Sequence, residues 1–386
     1  MKILIVAGAR PNFVKVAPLV RALKDVLGVA PVLVHTGQHY EAALSARFFE
    51  DLDLPRPDHH LDVGSGSHAA QTAQVMERLD PVLAAERPDV VIVVGDVNST
   101  VAAALTAVKR GIKVAHVEAG LRSFDRSMPE EINRIVTDAV SDLLFVSEIS
   151  GLHNLLREGV DPLKVRFVGN VMIDALETSR PRWSASDVAR RLGIDGGAFG
   201  LLTLHRPSNV DDPVTFERLL GAVRLVARRI PVLYPVHPRV RGRLETFDGL
   251  AGPGEPGAPP GGLRCVEPLG YIDFVSLMSR ASLVLTDSGG IQEETTALGV
   301  PCLTLRTTTE RPVTTTCGTN RVVGTDPADI LSAADAMLSD PPRPAALPPL
   351  WDGQAAHRIA LILGSANGAA VQTRPSAGLL HAVAFP

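Results

Sequence analysis

Cysteine, aromatic residues and long hydrophobic runs are all scarce in this chain of 386 residues. The three cysteines lie far apart and form no Cys-x-x-Cys pair, which predicts reduced thiols in a cytoplasmic protein rather than a disulfide framework. Aromatic residues make up only 4% of the chain. No apolar run approaches the roughly 18 residues that span a membrane. A formal net charge of −4 argues against a nucleic acid or a membrane surface as the main partner.

Hydrophobic residues nevertheless make up 45% of the sequence, enough for two or three domains with their own cores. Short apolar runs alternate with amphipathic stretches from end to end, which is typical of βα units and parallel sheets. The predicted strands lie near 2–8, 31–37, 89–96, 113–120, 143–147, 165–170, 199–205, 231–237, 263–268, 283–287, 301–306 and 320–324. The fold class is therefore α/β, with two Rossmann-like domains.

The two sets of six strands divide near residue 170. This division predicts an N-terminal domain over residues 1–170 and a C-terminal domain over 171–350. A last helix is expected over 351–363, and residues 364–386 have no periodicity, which favours a disordered tail. The Gly/Pro-rich stretch 248–262 is expected to be a flexible surface loop.

The segment from Leu283 to Glu294 carries the clearest functional pattern. An apolar strand leads into Asp287-Ser288, then into two glycines and a helix that opens with acidic residues. Glycines let backbone N–H groups approach an anion, and the helix N-terminus adds the positive end of its dipole. Glu294 could accept hydrogen bonds from a ribose diol. The pattern alone leaves two interpretations open: a nucleoside diphosphate site, or a strand–helix turn with acidic residues that favour the dipole.

Four carboxylates follow predicted strands of the first domain. Asp96, taken alone, favours a role in capping the next helix, whereas Glu118 ends a strand and has no capping role. Pro129 suits the first position of a helix, so Glu130 and Glu131 would lie in its first turn. A favourable interaction with the helix dipole accounts for the presence of one of these glutamates. The other is then free to face the cleft. Without an HExxH motif or a Cys/His cluster, the carboxylates indicate acid–base chemistry and no metal.

Cationic side chains gather at the same predicted strand ends. They are Arg10, Lys15, His205, Arg206, His237, Arg239, Arg306 and Arg311. Several cations at one rim would attract a diphosphate and stabilise it as a leaving group. No GxGxxG motif follows the first strand, so we expect neither a nicotinamide nor any other cofactor.

Five runs closely resemble the non-hydrolysing UDP-N-acetylglucosamine 2-epimerases. They are Gly8–Pro11, His116–Arg122, Met128–Arg134, Thr286–Glu294 and Thr309–Pro312. The resemblance spans about residues 1–363 and implies a GT-B fold, with a UDP-sugar between two facing domains. It also implies interconversion of UDP-N-acetylglucosamine and UDP-N-acetylmannosamine. UDP would be eliminated across C1–C2 and added back to a glycal. We further expect a homodimer that supplies a precursor of a cell-envelope polysaccharide.

The resemblance also implies roles for individual residues. Asp96, Glu118 and Glu130 would be the acid/base carboxylates, with the fourth catalytic residue, His205, beside the diphosphate. The UDP-binding residues would be Arg10, Lys15, Ser288, Gly289, Gly290, Glu294 and Arg311, with Phe274 near the uracil. We also expect Arg134 and His237 to contact the substrate.

Two stretches depart from the commoner family pattern. Residues 37–41 resemble members without a second, regulatory substrate site and members that act on 2,3-diacetamido uronates. His205-Arg-Pro-Ser208 replaces the commoner His-Arg-Arg-Glu. The exact sugar therefore stays open, with a related UDP-sugar such as a 2,3-diacetamido uronate as the alternative. A GT-B glycosyltransferase is a second alternative. A hydrolysing epimerase and a non-catalytic UDP-sugar sensor are less favoured.

Overall fold

The computed structural model describes residues 1–8, 10–26, 28–37, 49–236, 240, 262–342 and 346–365, and only the backbone of Arg10. Within these residues two parallel sheets are present, with seven and six strands. We call the first sheet with its helices the N-terminal domain, and the second with its helices the C-terminal domain.

The seven-stranded sheet has the order β3-β2-β1-β4-β5-β6-β7. Its strands are β1 Lys2–Ala7, β2 Ala30–His35, β3 His59–His60, β4 Val90–Val94, β5 Lys113–Ala119, β6 Leu143–Val146 and β7 Val165–Phe167. The six-stranded sheet has the order β10-β9-β8-β11-β12-β13. Its strands are β8 Gly200–Thr203, β9 Val232–Pro235, β10 Leu263–Val266, β11 Leu283–Thr286, β12 Cys302–Thr304 and β13 Asn320–Val322. In each sheet, successive strands are added on one side of the first strand and then on its other side, as in Rossmann-like folds. In such sheets, ligands bind beyond the carboxyl ends of the strands at the point where the direction changes.

Helices connect the strands and cover the sheets. In the N-terminal half they are α1 Arg10–Lys24, α2 His68–Glu86, α3 Asn98–Lys109, α4 Pro129–Val140 and α5 Ile149–Arg157, with a 3-10 turn at Pro162–Lys164. They continue with α6 Val171–Thr178, α7 Arg180–Ser184, α8 Val188–Arg191, α9 Pro207–Val210 and α10 Pro213–Ala227. The last are α11 Tyr271–Met278, α12 Gly289–Leu298, α13 Val313–Thr316, α14 Pro327–Ser339 and α15 Ala355–Ser365.

The continuous apolar sequences of the central strands explain why they are buried. All five residues of β4, Val-Val-Ile-Val-Val, are buried, because helices cover both faces of a parallel sheet. Side chains of β1, β4 and α1 pack in one large hydrophobic cluster, which also takes in Val284 and Cys302 of the second sheet. The polar residues that follow these strands are thereby held at the edges of two rigid sheets.

All twelve predicted strands are present, and the structure adds β3, a two-residue strand that the sequence pattern missed. Helix α1 begins at Arg10. Pro11 lies in its first turn, where the missing N–H of proline removes no helical hydrogen bond.

The last helix differs from its predicted bounds. It was expected over 351–363 but runs from Ala355 to Ser365, so two residues assigned to the tail are helical. Both carboxylate oxygens of the buried Asp174 accept from its first turn, from the Ala355 N–H at 3.0 Å and the Ala356 N–H at 2.6 Å. Residues 366–386, and all but the last residue of the predicted loop 248–262, lie outside the described residues.

The chain passes between the two domains at two adjacent places. Gly169 has a φ of 88°, and the Leu350 carbonyl lies so close to its Cα that a side chain there would clash. Next to it, Trp351 Nε1 donates to the Ser147 carbonyl at 2.9 Å. These contacts join the outgoing and returning segments beside β7.

Candidate active site

Carboxylates of the N-terminal domain face cations of both domains where the strands of the two sheets end. We call this group of side chains the cleft cluster. Its carboxylates are Asp96, Glu118, Glu131, Glu293 and Glu310, and its cations are Lys15, Arg134, Arg206, Arg306 and Arg311. Five of the predicted site residues belong to this cluster: Asp96, Glu118, Lys15, Arg134 and Arg311.

Asp96 lies just beyond β4 and pairs with Arg134 of α4, with 2.5 Å between Oδ2 and Nη1. The capping interpretation is wrong, because α3 has Val97 at its N-cap and no side-chain cap. The Asp96 side chain keeps 24% exposure. Burial raises the pKa of this carboxyl, but attraction by Arg134, Lys15 and Arg311 outweighs it, so the pKa lies below its ordinary value. Asp96 is therefore an ionised group with access to the cleft.

Glu118 has an unusual backbone at the end of β5. Its φ is 76°, and the pairing of β5 with β6 shifts register between Val117 and Ala119. A left-handed conformation outside glycine costs about 1–3 kcal/mol and often accompanies a functional role. The irregular strand turns the carboxylate toward a cation from each domain. Lys15 Nζ contacts Oε2, and Arg311 Nη2 lies 2.6 Å from Oε1.

The two glutamates in the first turn of α4 have different surroundings. Glu131 is 1% exposed and accepts hydrogen bonds from the backbone N–H groups of Ser123 and Phe124, both at 2.9 Å. It also accepts from Arg134 at 2.6 Å. Glu130 is partly exposed and has no ion pair or hydrogen bond with any residue that the structure describes. Glu131 thus fixes the loop and Arg134, and Glu130 is available to a ligand.

Arg311 is the central cation of the cleft cluster. Besides Glu118, it contacts Glu293, with 2.8 Å between Nε and Oε1, and the neighbouring Glu310. Burial lowers the pKa of the guanidinium, but Glu293, Glu310 and Glu118 outweigh burial and raise it well above its ordinary value. The guanidinium also lies over Gly289, where an added Cβ would come within 2.8 Å of the guanidinium carbon. A glycine is therefore needed at the start of α12.

Glu310 gathers two further arginines. Arg306 Nη2 lies 2.8 Å from one carboxylate oxygen, and Arg206 Nη2 lies 3.4 Å from the other. Burial raises the pKa of Glu310, but the attraction of Arg311, Arg306 and Arg206 outweighs it and holds the pKa well below its ordinary value. Arg306 and Arg206 share this one carboxylate, so this side of the cluster has positive charge for a bound diphosphate.

His205 is oriented by Asp287, whose function the sequence patterns did not reveal. The Nδ1 atom of the imidazole lies 2.9 Å from the fully buried carboxylate. Asp287 also accepts the backbone N–H of Arg206 at 3.0 Å and the amide of Asn209 at 3.2 Å. Burial raises the pKa of Asp287, but His205 and the backbone N–H donors outweigh it and lower the pKa. The contact holds the imidazole ring in one orientation.

Glu294 lies in the second turn of α12 and is 4% exposed. It accepts a hydrogen bond from the Tyr271 hydroxyl at 3.0 Å. Burial raises the pKa of Glu294 to about 8, so the carboxyl is neutral at pH 7. Phe274 is one turn after Tyr271 in α11, on the same side of the helix. These residues form a separate group next to the cleft cluster.

Other predicted site residues can be placed only in part. Ser288 is the N-cap residue of α12, and its N–H donates to Thr286 Oγ1 at 3.0 Å. Gly290 lies beside Met172, whose methyl group would be 3.1 Å from an added Cβ. The side chain of Arg10 and all of His237 lie outside the described residues.

Asp287, Glu293 and Glu310 are the site residues to which the sequence patterns gave no role of their own. Each stands inside a recognised run, but its partner is distant in sequence or lies on another element. Within the described parts of the chain, no group of three or more His, Cys, Asp or Glu residues is placed to hold a metal ion. None of the helices described is long and apolar enough to cross a bilayer.

The chain is similar to known proteins along nearly its whole length. The model of the family described as UDP-N-acetylglucosamine 2-epimerase matches residues 21–364. A UDP-N-acetylglucosamine 2-epimerase of Methanocaldococcus jannaschii is 40% identical over 375 residues, which cover 94% of this chain and 99% of the relative. A UDP-2,3-diacetamido-2,3-dideoxy-D-glucuronate 2-epimerase of Pseudomonas aeruginosa is 41% identical over 342 residues, which cover 88% of this chain and 92% of the relative.

A solved structure extends the similarity to three dimensions. The crystal structure of Methanocaldococcus jannaschii UDP-GlcNAc 2-epimerase in complex with UDP-GlcNAc and UDP superimposes with a TM-score of 0.86 at 39% identity. The match covers 95% of this chain and 100% of the other. The GT-B architecture predicted from the sequence is confirmed by this match and by the two parallel sheets.

Proposed function

The chain belongs to the UDP-N-acetylglucosamine 2-epimerase family, and on that basis we propose that it interconverts UDP-N-acetylglucosamine and UDP-N-acetylmannosamine without hydrolysis. One observation carries the proposal for the site. Glu118 of the N-terminal domain contacts Lys15 and, across the cleft, Arg311 of the C-terminal domain. A carboxylate able to take a proton thus lies beside cations able to hold a leaving diphosphate.

The chemistry requires this combination. The proton on C2 of an N-acetylhexosamine is not next to a carbonyl, so its direct removal at neutral pH is too slow. Elimination makes the step feasible, because the C2–H electron pair forms the C1–C2 double bond of a glycal while UDP leaves with the C1–O electrons. Protonation of C2 on the opposite face, with return of UDP to C1, gives the epimer. The reaction therefore needs an acid and a base on opposite faces of the sugar.

We assign the acid and base roles to Asp96, Glu118 and Glu130. Asp96 is ionised and partly open to the cleft, Glu118 is turned inward by its irregular strand, and Glu130 has no partner among the described residues. Arg134 is a positioning residue, because it holds Asp96 through one nitrogen and Glu131 through others. His205, oriented by Asp287, would stabilise the leaving diphosphate.

The C-terminal domain would bind the nucleotide. The diphosphate would contact Lys15, Arg311 and the start of α12, where Ser288 is the N-cap and Gly289 and Gly290 are the first helical residues, whose N–H groups have no acceptor within the helix. Arg10 and His237 stay in this proposal on sequence grounds alone. Glu294 would hydrogen-bond the ribose diol, since a neutral buried carboxyl can both donate and accept. Phe274 would lie against the uracil.

The Pseudomonas aeruginosa relative supports a second candidate substrate. It is as similar to this chain as the N-acetylglucosamine enzymes are, and its name specifies a UDP-2,3-diacetamido uronate. The cleft cluster serves the same C2 chemistry in either sugar, because only substituents away from C1 and C2 differ. UDP-N-acetylglucosamine remains the favoured substrate, since the family match and most of the similar proteins carry that name.

We further propose a cytoplasmic homodimer that supplies a precursor of cell-envelope polysaccharide. Three unpaired cysteines support a reducing compartment. Leu156 and Leu163, which are 42% and 77% exposed near the end of α5, offer apolar area for a second copy. Light scattering of the purified protein would test the assembly.

NMR in heavy water tests the proposed reaction. Purified protein incubated with UDP-N-acetylglucosamine should produce the manno epimer with deuterium at C2, because the proton given to one side chain exchanges with solvent before C2 is protonated again. Parallel incubation with a UDP-2,3-diacetamido uronate identifies the preferred sugar. A product that keeps its original C2 hydrogen would contradict the elimination mechanism. Release of free sugar would indicate a hydrolysing enzyme instead.

A further inference from the structure

Phe124, in the loop between β5 and α4, combines two unfavourable features. Its φ is 59°, in the left-handed region that side chains other than glycine, asparagine and aspartate rarely adopt. Its side chain is 70% exposed, so the ring gains little from burial. Glycine or asparagine at this position would adopt the positive φ more easily and would expose no aromatic ring. A backbone outlier of this kind points to a function when the surrounding structure fixes it in place.

The surrounding structure does fix this residue. The Phe124 N–H donates to Glu131 Oε1 at 2.9 Å, and the preceding Ser123 N–H donates to the other oxygen at 2.9 Å. Glu131 in turn contacts Arg134, which holds Asp96 at 2.5 Å. Phe124 is thus connected through buried hydrogen bonds to one of the proposed acid/base carboxylates.

The loop lies at the edge of the cleft. It follows β5, in which Glu118 contacts Arg311 of the C-terminal domain at 2.6 Å. It ends at α4, whose first turn carries Glu130 and Glu131. The loop therefore runs between proposed acid/base carboxylates. In the function proposed above, the hexose of a bound UDP-sugar would lie beside them.

We propose that Phe124 is a specificity-determining residue whose ring packs against the hexose of the UDP-sugar. This proposal rests on the function proposed above. A pyranose presents C–H groups on one face, and the acetamido group presents a methyl; both pack favourably on an aromatic face. The contact involves the sugar and not the nucleotide, so it distinguishes UDP-sugars from UDP.

Equilibrium dialysis with sugar-labelled UDP-N-acetylglucosamine and with UDP tests this proposal. Phe124→Ala should weaken UDP-sugar binding about tenfold, the scale of one lost aromatic contact, and leave UDP binding unchanged. Phe124→Gly should show the same loss of sugar binding but melt at a higher temperature than Phe124→Ala, because glycine adopts a positive φ freely. Phe124→Tyr should restore binding. Val214→Ala, which removes another exposed apolar side chain, at the start of α10, is the matched control.

Two results would overturn the proposal. One is UDP-sugar affinity that stays at the wild-type level in both Phe124→Ala and Phe124→Gly. The other is an equal loss of UDP and UDP-sugar affinity, which would place the ring against the nucleotide or assign it to folding. NMR of the dialysed ligand reports independently whether wild type forms an epimer. A protein that binds the sugar through Phe124 without epimerising it would refute the proposed reaction and leave this inference intact.

Discussion

Asp96 and Asp287 occupy matching positions in the two domains, yet their surroundings differ. Each follows the strand next to the first strand of its domain, β4 beside β1 and β11 beside β8. Asp287 is fully buried and accepts from His205, from Arg206 and from Asn209. Asp96 has one ion pair, to Arg134, and stays 24% exposed. The same sheet position thus supplies a structural anchor in one domain and an accessible carboxylate in the other.

The comparison shows how two equivalent positions come to have different hydrogen-bonding capacity. Both carboxyls have pKa values below the ordinary range, but through different partners. Around Asp287 the partners include fixed backbone donors, which saturate the oxygens. Around Asp96 they are cations on side chains, which hold the charge and leave room for a proton transfer. Function in this site therefore depends on how many hydrogen bonds a carboxylate has left to make.

Replacing Asp96 should have the largest effect. Asp96→Asn removes one acid/base group and should lower kcat by roughly a hundredfold or more, the scale of lost general acid–base catalysis. The melting temperature should stay near wild type, because the side chain is partly exposed. Initial rates and thermal melts measure the two effects. A variant that keeps its rate would remove Asp96 from the mechanism.

Arg311→Ala tests whether the C-terminal domain binds UDP. The arginine–phosphate contact is worth about 1.5–3 kcal/mol, so UDP affinity should fall roughly tenfold to a hundredfold. Arg311 also neutralises Glu118, so turnover at saturating substrate should fall as well. Calorimetry with UDP and rates at high substrate separate the effects. Unchanged UDP affinity would place the diphosphate elsewhere in the cleft.

Asp287→Asn reverses the pattern expected for Asp96→Asn. An amide cannot accept all the N–H groups that now meet the carboxylate, so the free energy of unfolding should fall by about 2 kcal/mol. Turnover should drop about tenfold through loss of the His205 orientation, at the low end of what proton-transfer and positioning groups contribute. Urea unfolding and rates on the same sample provide the measurement. Full stability combined with a hundredfold loss of rate would make Asp287 a reacting group.

Glu294→Gln should have the smallest effect, visible as a change in pH dependence. The folded-state pKa of Glu294 is raised to about 8, above the ordinary 4.5. The resulting stability is present below the ordinary pKa and is lost as pH rises toward 8. The Gln variant should therefore lose about 1 kcal/mol less than wild type between about pH 7 and pH 8.

Urea titrations at these two pH values measure the slope for Glu294→Gln. Glu217→Gln, at an exposed position of α10, is the control and should leave the slope unchanged. Burial also raises the pKa values of Glu148 and Glu293 to about 7. These two groups should therefore keep part of the pH dependence of the free energy of unfolding in every variant. Equal slopes for wild type and Glu294→Gln would mean that Glu294 is ionised in the folded protein.

Much of this molecule was predictable because its strands are short, apolar and buried. Twelve strands appear as hydrophobic runs, whereas β3 consists of His59 and His60 and carries no apolar signal. The positive φ of Glu118 was not predictable, since it comes from a register shift between neighbouring strands. The partners of Glu293 and Asp287 were also hidden, because they lie on elements far away in sequence. Local patterns singled out residues that the fold brings together at the strand ends, and tertiary contacts determined which carboxylates are saturated.

The last helix has a consequence for how the protein is made. Ile359 and Leu363 of α15 are fully buried in the cluster that contains Phe13 and Val16 of α1. During synthesis, α1 leaves the ribosome long before α15 does. The N-terminal domain therefore cannot complete its core until the C-terminal domain has already emerged, and contacts so distant in sequence form slowly. In this chain the domain that is synthesised first is completed last.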